Sequence, residues 1–325
     1  MRPVTASPEV SKRSTNEVAQ TQYDLGRSFD RGGGDADQAA QHFKAAVDAD
    51  PNFWLAQAAL AAQLSWGYDI PFERKFPHIS EAIVIAKRAL ERDDNLCEAH
   101  LAVAWHAYVR EWDWAKATAH FDKAILCDPA NSRPHEWYGL FLLGMGQTNE
   151  AIRHLEVAER LNGPELTVNE FFGDVLFAAR RYAEAAIKFS KAAEMPGASG
   201  EKSRVAWAFL WRGGTVQAIE NWLDYYYGAK ETWVVDLKRV LREQDRSTFW
   251  NKRLEAVIAR TKDPLILAEA SAMAGRTNEA LNLLERAYRE HHDFLVMNLR
   301  TDPEFDILRG EPRFKALLKH LKLDK

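Results

Sequence analysis

The chain is poor in the features that mark several protein classes. Only two cysteines, Cys97 and Cys127, occur in 325 residues, too few for a disulfide framework. Both fall on expected helices, so the plain reading is a pair of buried thiols in a reducing, cytoplasmic compartment. No long apolar run exists. The most apolar stretch, residues 54–66, is amphipathic and too short for a bilayer core of ~30 Å, so no membrane partner is expected. The amino-terminal MRPVTASPEVSKRS has no apolar centre and does not read as a secretory signal. Charge of one sign is also missing. Lys and Arg total 43 against 47 Asp and Glu, a formal net charge of -4. Without a basic face to neutralise phosphates, nucleic-acid binding by this chain is not expected.

Motifs of chemistry are missing as well. HExxH, CxxC and clustered carboxylate–histidine spacings do not occur, so no metal site is expected. His100 and His106 are poorly placed to share a helix face, and His291 and His292 are an adjacent pair after a helix. GASGEKS at 197–203 and RGGGD at 31–35 lack the Gly-Lys adjacency and preceding strand of a phosphate loop. No nucleophile motif appears. The expectation is no cofactor, no catalytic residue and no enzyme.

What is present is a recurring stripe of small residues. Ala39, Phe43, Ala46 and Pro51 are spaced 4, 3 and 5 apart, and Ala117, Phe121, Ala124 and Pro129 repeat that spacing. Ala82, Ala86 and Ala89 form a further copy, as do Ala151, Leu155 and Ala158, then Ala185, Phe189 and Ala192, and finally Ala280, Leu284 and Ala287. Steps of 4 and 3 place these residues on one helix stripe. The alanines let a second helix approach, and the larger residue fills the gap between them. A period of ~34 residues with this pattern denotes stacked tetratricopeptide helix pairs. The expected fold is all-α: a right-handed α-solenoid of about eight helix pairs with a C-terminal capping helix.

Along the chain, residues 1–15 are polar and read as disordered or as a linker. Residues 16–196 hold repeats one to five. Gly32, Gly33 and Gly34 form the turn of the first, with Asp35 as N-cap of its second helix. Gly139 and Gly173 occupy close-packing positions in repeats four and five. Residues 197–262 are divergent: 206–218 fit a sixth repeat with Trp222 and Tyr225 in place of smaller residues, and 230–260 form a degenerate helix pair. Residues 263–325 hold the last repeat and the cap, with Phe314, Leu317, Leu318 and Leu321 on its apolar side and Lys315, Lys319 and Lys322 on its wet side. The insertion YDIPFERKFPH, 68–78, is blocked from helix by Pro71 and Pro77. Two readings stand for it: a flap over the groove or against a partner, or a passive surface loop.

The segment EWDWAKATAHFDKAILCDPANSRPHEWYG and the ending DPEFDILRGEPRFKALLKHLKL carry a further resemblance. With the Trp112-Asp113-Trp114 turn, they resemble the C-terminal tetratricopeptide regions of bacterial winged-helix regulators, adenylate cyclases and Ser/Thr kinases. Asp302-Pro303, Phe305, Leu308, Pro312-Arg313-Phe314 and Leu317-Leu318 carry the match at the end. None of those effector signatures precedes residue 16. The resemblance therefore implies a sensory or scaffold module and supplies no activity.

The concave wall of such a fold is lined by first-helix residues. Counted from each repeat, the candidate groove is Trp66, Glu98, Trp105, Tyr108, Arg133, Glu136, Glu170, Asp174, Phe177, Trp207 and Trp211. Aromatics there would anchor a peptide or protein ligand, and charges would set its register. Glu136, Glu170 and Asp174 in neighbouring repeats would favour a basic ligand. Tyr23 and Arg27 stand where chaperone-binding repeats carry a clamp for a carboxylate terminus, so that partner is disfavoured. The expected role is a non-enzymatic protein-binding module of a bacterial signalling or regulatory system. The alternatives are a self-assembling scaffold, with exposed aromatics serving homo-oligomer contacts, or an enzyme with its site in 197–262 or under the insertion.

Overall fold

The computed structural model describes residues 13–30, 36–66, 68–70, 72–163, 165–196, 198 and 201–324. Eight helix pairs follow one another among these residues: α1 (Glu17–Asp30) with α2 (Ala36–Ala49), α3 (Trp54–Leu64) with α4 (Ile79–Leu90), α5 (Cys97–His106) with α6 (Trp114–Cys127), and α7 (Ser132–Gly144) with α8 (Thr148–Asn162). They continue as α9 (Leu166–Ala178) with α10 (Tyr182–Ala193), α11 (Glu201–Gly213) with α12 (Val216–Leu223), α13 (Thr232–Glu243) with α14 (Arg246–Ile258), and α15 (Pro264–Met273) with α16 (Thr277–Arg289). A short α17 (Leu295–Asn298) and α18 (Pro312–His320) end the chain.

Two compact units result. Unit 1 comprises residues 1–67 and 76–134; unit 2 comprises 68–75 and 135–325. The expected disorder of 1–15 falls largely on residues outside those described. Of the rest, Ser14 donates to the Asp50 carboxylate. The Gly32–Gly34 turn, the Asp35 cap and most of GASGEKS also lie outside the described residues.

The second-helix stripe does what its spacing predicts. All eighteen residues of its six copies are at most 2% exposed. On the first helices, small residues receive the larger member of the stripe. A Cβ at Gly173 would lie 2.4 Å from the Phe189 ring, and one at Gly26 would lie 2.6 Å from Phe43. At Gly139 the distance to Leu155 is a looser 3.2 Å. Glycine is therefore required where an aromatic ring enters, and less so where leucine does.

Helix ends follow local chemistry. The helices before Pro51 and Pro129 stop at Ala49 and Cys127, since proline disfavours helix in the preceding residue. Asp113, Thr215, Asp245 and Asp263 cap α6, α12, α14 and α15 by accepting backbone N–H bonds. Two helices end in a π turn, 107–111 after α5 and 224–228 after α12. The first closes on Trp112 in the left-handed region, φ 53°, an uncommon conformation for a bulky side chain. In α18, Phe314 and Leu317 are buried and Lys315 and Lys319 exposed, as the amphipathic pattern requires.

Two features differ from expectation. Cys97 and Cys127 are half-buried and joined in a disulfide with Cα atoms 5.6 Å apart, not a pair of buried thiols. The first residue of α5 and the last of α6 are brought together because paired antiparallel helices place those ends side by side. The insertion also forms a small antiparallel hairpin, β1 (Tyr68–Ile70) and β2 (Glu73–Lys75), with Tyr68 opposite Lys75 and Ile70 opposite Glu73.

Candidate interaction surface

In unit 1 the expected groove is filled by the protein's own side chains. Arg27 on α1 bonds Glu98 on α5 at 2.9 Å. Arg133 and Gln63 both donate to the Asp30 carboxylate, whose side chain is only 6% exposed. Burial opposes the charge on Arg27, but Glu98, Tyr23 and Asp30 outweigh it and raise its pKa. Trp105 and Tyr108, expected as groove anchors, are completely enclosed. Their rings meet at 5.6 Å, and Trp105 meets Trp66 at 5.2 Å and Phe76 at 6.2 Å. They are core residues of this unit and not an open groove lining.

In unit 2 the expected residues divide. Glu136 is buried and Glu170 half-buried. Asp174 accepts from Arg204 at 3.0 Å. Phe177, Trp207 and Trp211 are half-buried and belong to an aromatic row. Phe177 meets Tyr182 at 5.2 Å, Tyr182 meets Trp211 at 6.5 Å, Trp211 meets Trp207 at 5.9 Å and Trp207 meets Trp222 at 4.5 Å. Trp222 continues the row to Tyr227 at 5.5 Å, and Tyr227 to Trp233 at 4.8 Å. Sequence reasoning missed Tyr182, Trp222, Tyr227, Trp233 and Trp250. The density of Trp and Tyr over 222–250 was the available signal.

Arg253 lies within this row. It is 6% exposed, with its guanidinium 4.9 Å from the Trp222 ring centre and 5.9 Å from those of Tyr227 and Trp250. It donates to the Tyr227 hydroxyl at 2.8 Å. Aromatic faces therefore supply much of what a carboxylate normally gives a buried cation. Burial raises the Tyr227 pKa, with Arg253 opposing.

The hairpin docks at the end of this row. Phe72 stacks on Tyr227 at 5.5 Å and meets Trp233 at 6.0 Å. The Thr261 hydroxyl donates to the Phe72 carbonyl at 2.8 Å. Arg74 forms an ion pair with Glu269 on α15, the two side chains 8% and 10% exposed. Two more carboxyls feel the same field. Desolvation, helped by Glu269, pushes Asp302 up to about 7, with Arg74 pulling the other way. Glu304 is raised well above the usual range by desolvation, Asp302 and Glu269, and its Oε2 atom makes no hydrogen bond among the described residues. Nearby, Asp263 bonds His292 at 3.1 Å.

No group of three or more His, Cys, Asp or Glu among the described residues is arranged to hold a metal. No helix there is long and apolar enough to cross a membrane. What the surface offers is ring faces, buried charge and main-chain hydrogen bonding, the means by which proteins hold other polypeptides.

The repeated helix pair with a small–large–small stripe on its second helix defines the class: an all-α helical-repeat protein. Residues 120–153 match the tetratricopeptide repeat family model, and helix pairs with the same stripe stand on both sides of that segment. That segment is a tetratricopeptide repeat. No curated protein matches it in sequence. Among solved structures, it is similar to TTC0263 of Thermus thermophilus, with 22% identity over 59% of this chain and 99% of that one, TM-score 0.45. It is also similar to a tetratricopeptide repeat protein from Parabacteroides merdae, with 12% identity over 94% of this chain and 99% of the other, TM-score 0.41. A third is YrrB, described as having an unusual peptide-binding site, with 19% identity over 62% of this chain and 99% of that one, TM-score 0.38.

Proposed function

We propose that this chain is a non-enzymatic interaction module that holds a peptide or protein segment on the first-helix face of unit 2, as the sensory or scaffold part of a signalling or regulatory system. One observation carries the reading. Half-buried aromatic rings stand on consecutive first helices, Phe177 on α9 and Trp207 and Trp211 on α11. Rings that keep part of their surface in water at regular spacing are suited to anchor a partner. The Asp174–Arg204 pair and Glu170 beside them supply polar rim contacts. The unit 1 candidates support no groove of their own, since Trp105 and Tyr108 are enclosed and Glu98 and Arg133 serve internal ion pairs.

The test is capture of a partner from the native host, followed by titration of the purified pair. Trp207→Ala and Trp211→Ala are each expected to weaken the Kd at least tenfold, about 1.4 kcal/mol, with the helical circular dichroism retained. An unchanged Kd for both variants refutes the assignment. The self-assembly alternative draws on exposed aromatics, Phe209 at 45% and Tyr225 at 57%. Light scattering across concentration separates the two, because self-assembly raises the mass without any partner.

A further inference from the structure

We infer that the surface of unit 2 built by Tyr227, Trp233, Thr261 and Glu269 is a recognition site for a peptide turn carrying an aromatic residue and, two positions later, an arginine, and that Phe72 and Arg74 of this chain are its resident, displaceable occupant. The inference rests on the interaction-module reading and names the ligand chemistry of one part of its surface.

The way the hairpin is held is the way a bound peptide is held. Phe72 lies in the hairpin turn and Arg74 in β2, and both side chains contact the rest of unit 2. Glu73, between them, forms an exposed ion pair with Lys75 instead. The contacts to unit 2 are of three kinds: Phe72 on the Tyr227 and Trp233 rings, the Phe72 carbonyl on the Thr261 hydroxyl, and Arg74 on Glu269. An aromatic anchor, a main-chain hydrogen bond and a buried charge pair are the elements of peptide capture.

The segment is not needed to connect its helices. The turn between α9 and α10 spans residues 179–181, and that between α15 and α16 spans 274–276. Between α3 and α4 the chain instead runs through 65–78 and sends the hairpin onto unit 2 while both helices belong to unit 1. A connection this much longer than the fold requires is free to have another use.

The receiving surface gathers three acidic residues. Arg74 pairs with Glu269 and opposes the raised pKa of Asp302 and Glu304, and one Glu304 oxygen makes no hydrogen bond among the described residues. Arg74 lowers the pKa of both Asp302 and Glu304 and pairs with Glu269, so a site it has vacated favours an incoming cation. A guanidinium suits it better than an ammonium, because its planar fork engages a carboxylate through two donors. On the aromatic side, Arg260 covers the Trp233 ring at 4.2 Å and Arg253 backs Tyr227. Those positions are already cationic, so an aromatic or apolar side chain is the fitting guest for the pocket between the rings.

A tethered occupant competes at an effective concentration in the millimolar range. A free peptide of the same chemistry is therefore held off until the hairpin is weakened or the competitor binds more tightly.

The test uses the full chain and a fluorescein-labelled nonapeptide reproducing residues 68–76, YDIPFERKF. Anisotropy titrations compare wild type with the Phe72→Ala/Arg74→Ala double variant, which empties both anchor points and keeps the backbone. The double variant is expected to bind the probe at least tenfold more tightly than wild type. A control peptide with alanine at the same two positions should not bind, and adding Glu269→Gln should cost at least tenfold. A folded double variant that binds the probe no better than wild type overturns the inference. If the variant loses its helical spectrum, wild-type chain titrated with millimolar probe decides instead. Hydrogen exchange of the amides at 72–75 should speed up as the hairpin is displaced, and unchanged exchange at saturation overturns the inference. Failure here together with Trp207-dependent binding of a natural partner removes this site alone, whereas failure of both removes the interaction reading as well.

Discussion

Two histidine pairs bridge first and second helices at equivalent places, and they make acid stability a sharp test of the packing. His100 Nδ1 lies 3.0 Å from His120 Nδ1, and His135 Nδ1 lies 2.9 Å from His154 Nδ1. In the first repeat the same place is taken by His42 and Gln22, 2.7 Å apart. The tautomers of the first pair follow from a third contact. His100 Nε2 is 2.9 Å from the Asp94 carbonyl, which only accepts, so Nε2 carries the proton and His100 Nδ1 accepts from His120 Nδ1–H. A proton on either ring upsets this arrangement. Desolvation, then the neighbouring His100, then Lys123 and Lys116 hold His120 down at about 4, with Asp94 opposing. His135 is held at about 4 by desolvation, His154 and Arg160.

A depressed histidine pKa means that the unfolded chain takes up protons first as pH falls below its ordinary value near 6.5. The stability contributed by the neutral pair is thus complete above pH 6.5 and is lost between there and about pH 4. At face value, that interval is worth ~3.4 kcal/mol for one proton. The titrating rings, His120 and His135, are half-buried and water screens part of the interaction, which leaves roughly 1–2 kcal/mol per pair.

His100→Gln places in unit 1 the glutamine acceptor that the first repeat already uses. The amide oxygen can accept from His120 whether or not that ring is charged. Urea unfolding of wild type and variant at pH 7 and pH 4.5 measures the outcome. At pH 7 the variant should be less stable by about 1 kcal/mol, for the lost bond to Asp94. By pH 4.5 that gap should close or reverse. A stability difference independent of pH refutes the reasoning, as does a nitrogen NMR spectrum placing the neutral proton of His120 on Nε2.

Further outcomes follow from packing and charge. Gly173→Ala should destabilise unit 2 by ~1–3 kcal/mol, because its Cβ meets the Phe189 ring at 2.4 Å; Gly139→Ala, facing Leu155 at 3.2 Å, should be close to neutral in the same urea titration. Reducing the Cys97–Cys127 disulfide, which spans 30 residues, should lower the stability of unit 1 by ~2–4 kcal/mol, read as a lower unfolding midpoint with reductant. Trp105→Ala should cost ~3–5 kcal/mol of stability as a core truncation, with no separate loss of partner affinity once folded protein is compared. Asp302 acts in the opposite direction to the histidine pairs: its folded pKa of about 7 lies above the unfolded value, so its penalty is present above pH 7 and fades as pH falls toward 4. Glu304→Gln, removing a charge whose Oε2 has no partner, should therefore stabilise unit 2 more at pH 8 than at pH 5.

The helical repeat was legible because its signal is local and repeated. Steps of 4 and 3 between Ala39, Phe43 and Ala46 place all three on one side of α2 whatever the rest of the chain does, and five further copies repeat the instruction. Gly173 could be assigned for the same reason: its partner Phe189 belongs to the adjacent helix of the same pair. The cap of α6 by Asp113 and the helix stop before Pro129 are likewise settled within a few residues.

Contacts between distant segments were not legible. First-helix periodicity places Trp105 and Trp207 on the same kind of face, yet one is enclosed and the other half-buried. That difference depends on how closely Trp66 and Phe76 come to Trp105, far along the chain. Nothing near Arg74 in sequence announces Glu269, 195 residues away, or the carboxyls around it. Cys97 and Cys127 look like two ordinary helix thiols until the pairing of α5 with α6 sets their Cα atoms 5.6 Å apart. Backbone geometry within a helix is dictated by neighbours three or four places away, so the residue order alone prescribed the helix pairs. Which faces closed, which charges met and where the inserted hairpin came to rest were decided by the folded arrangement, because burial and Coulomb energy depend on distance in space and not on separation along the chain.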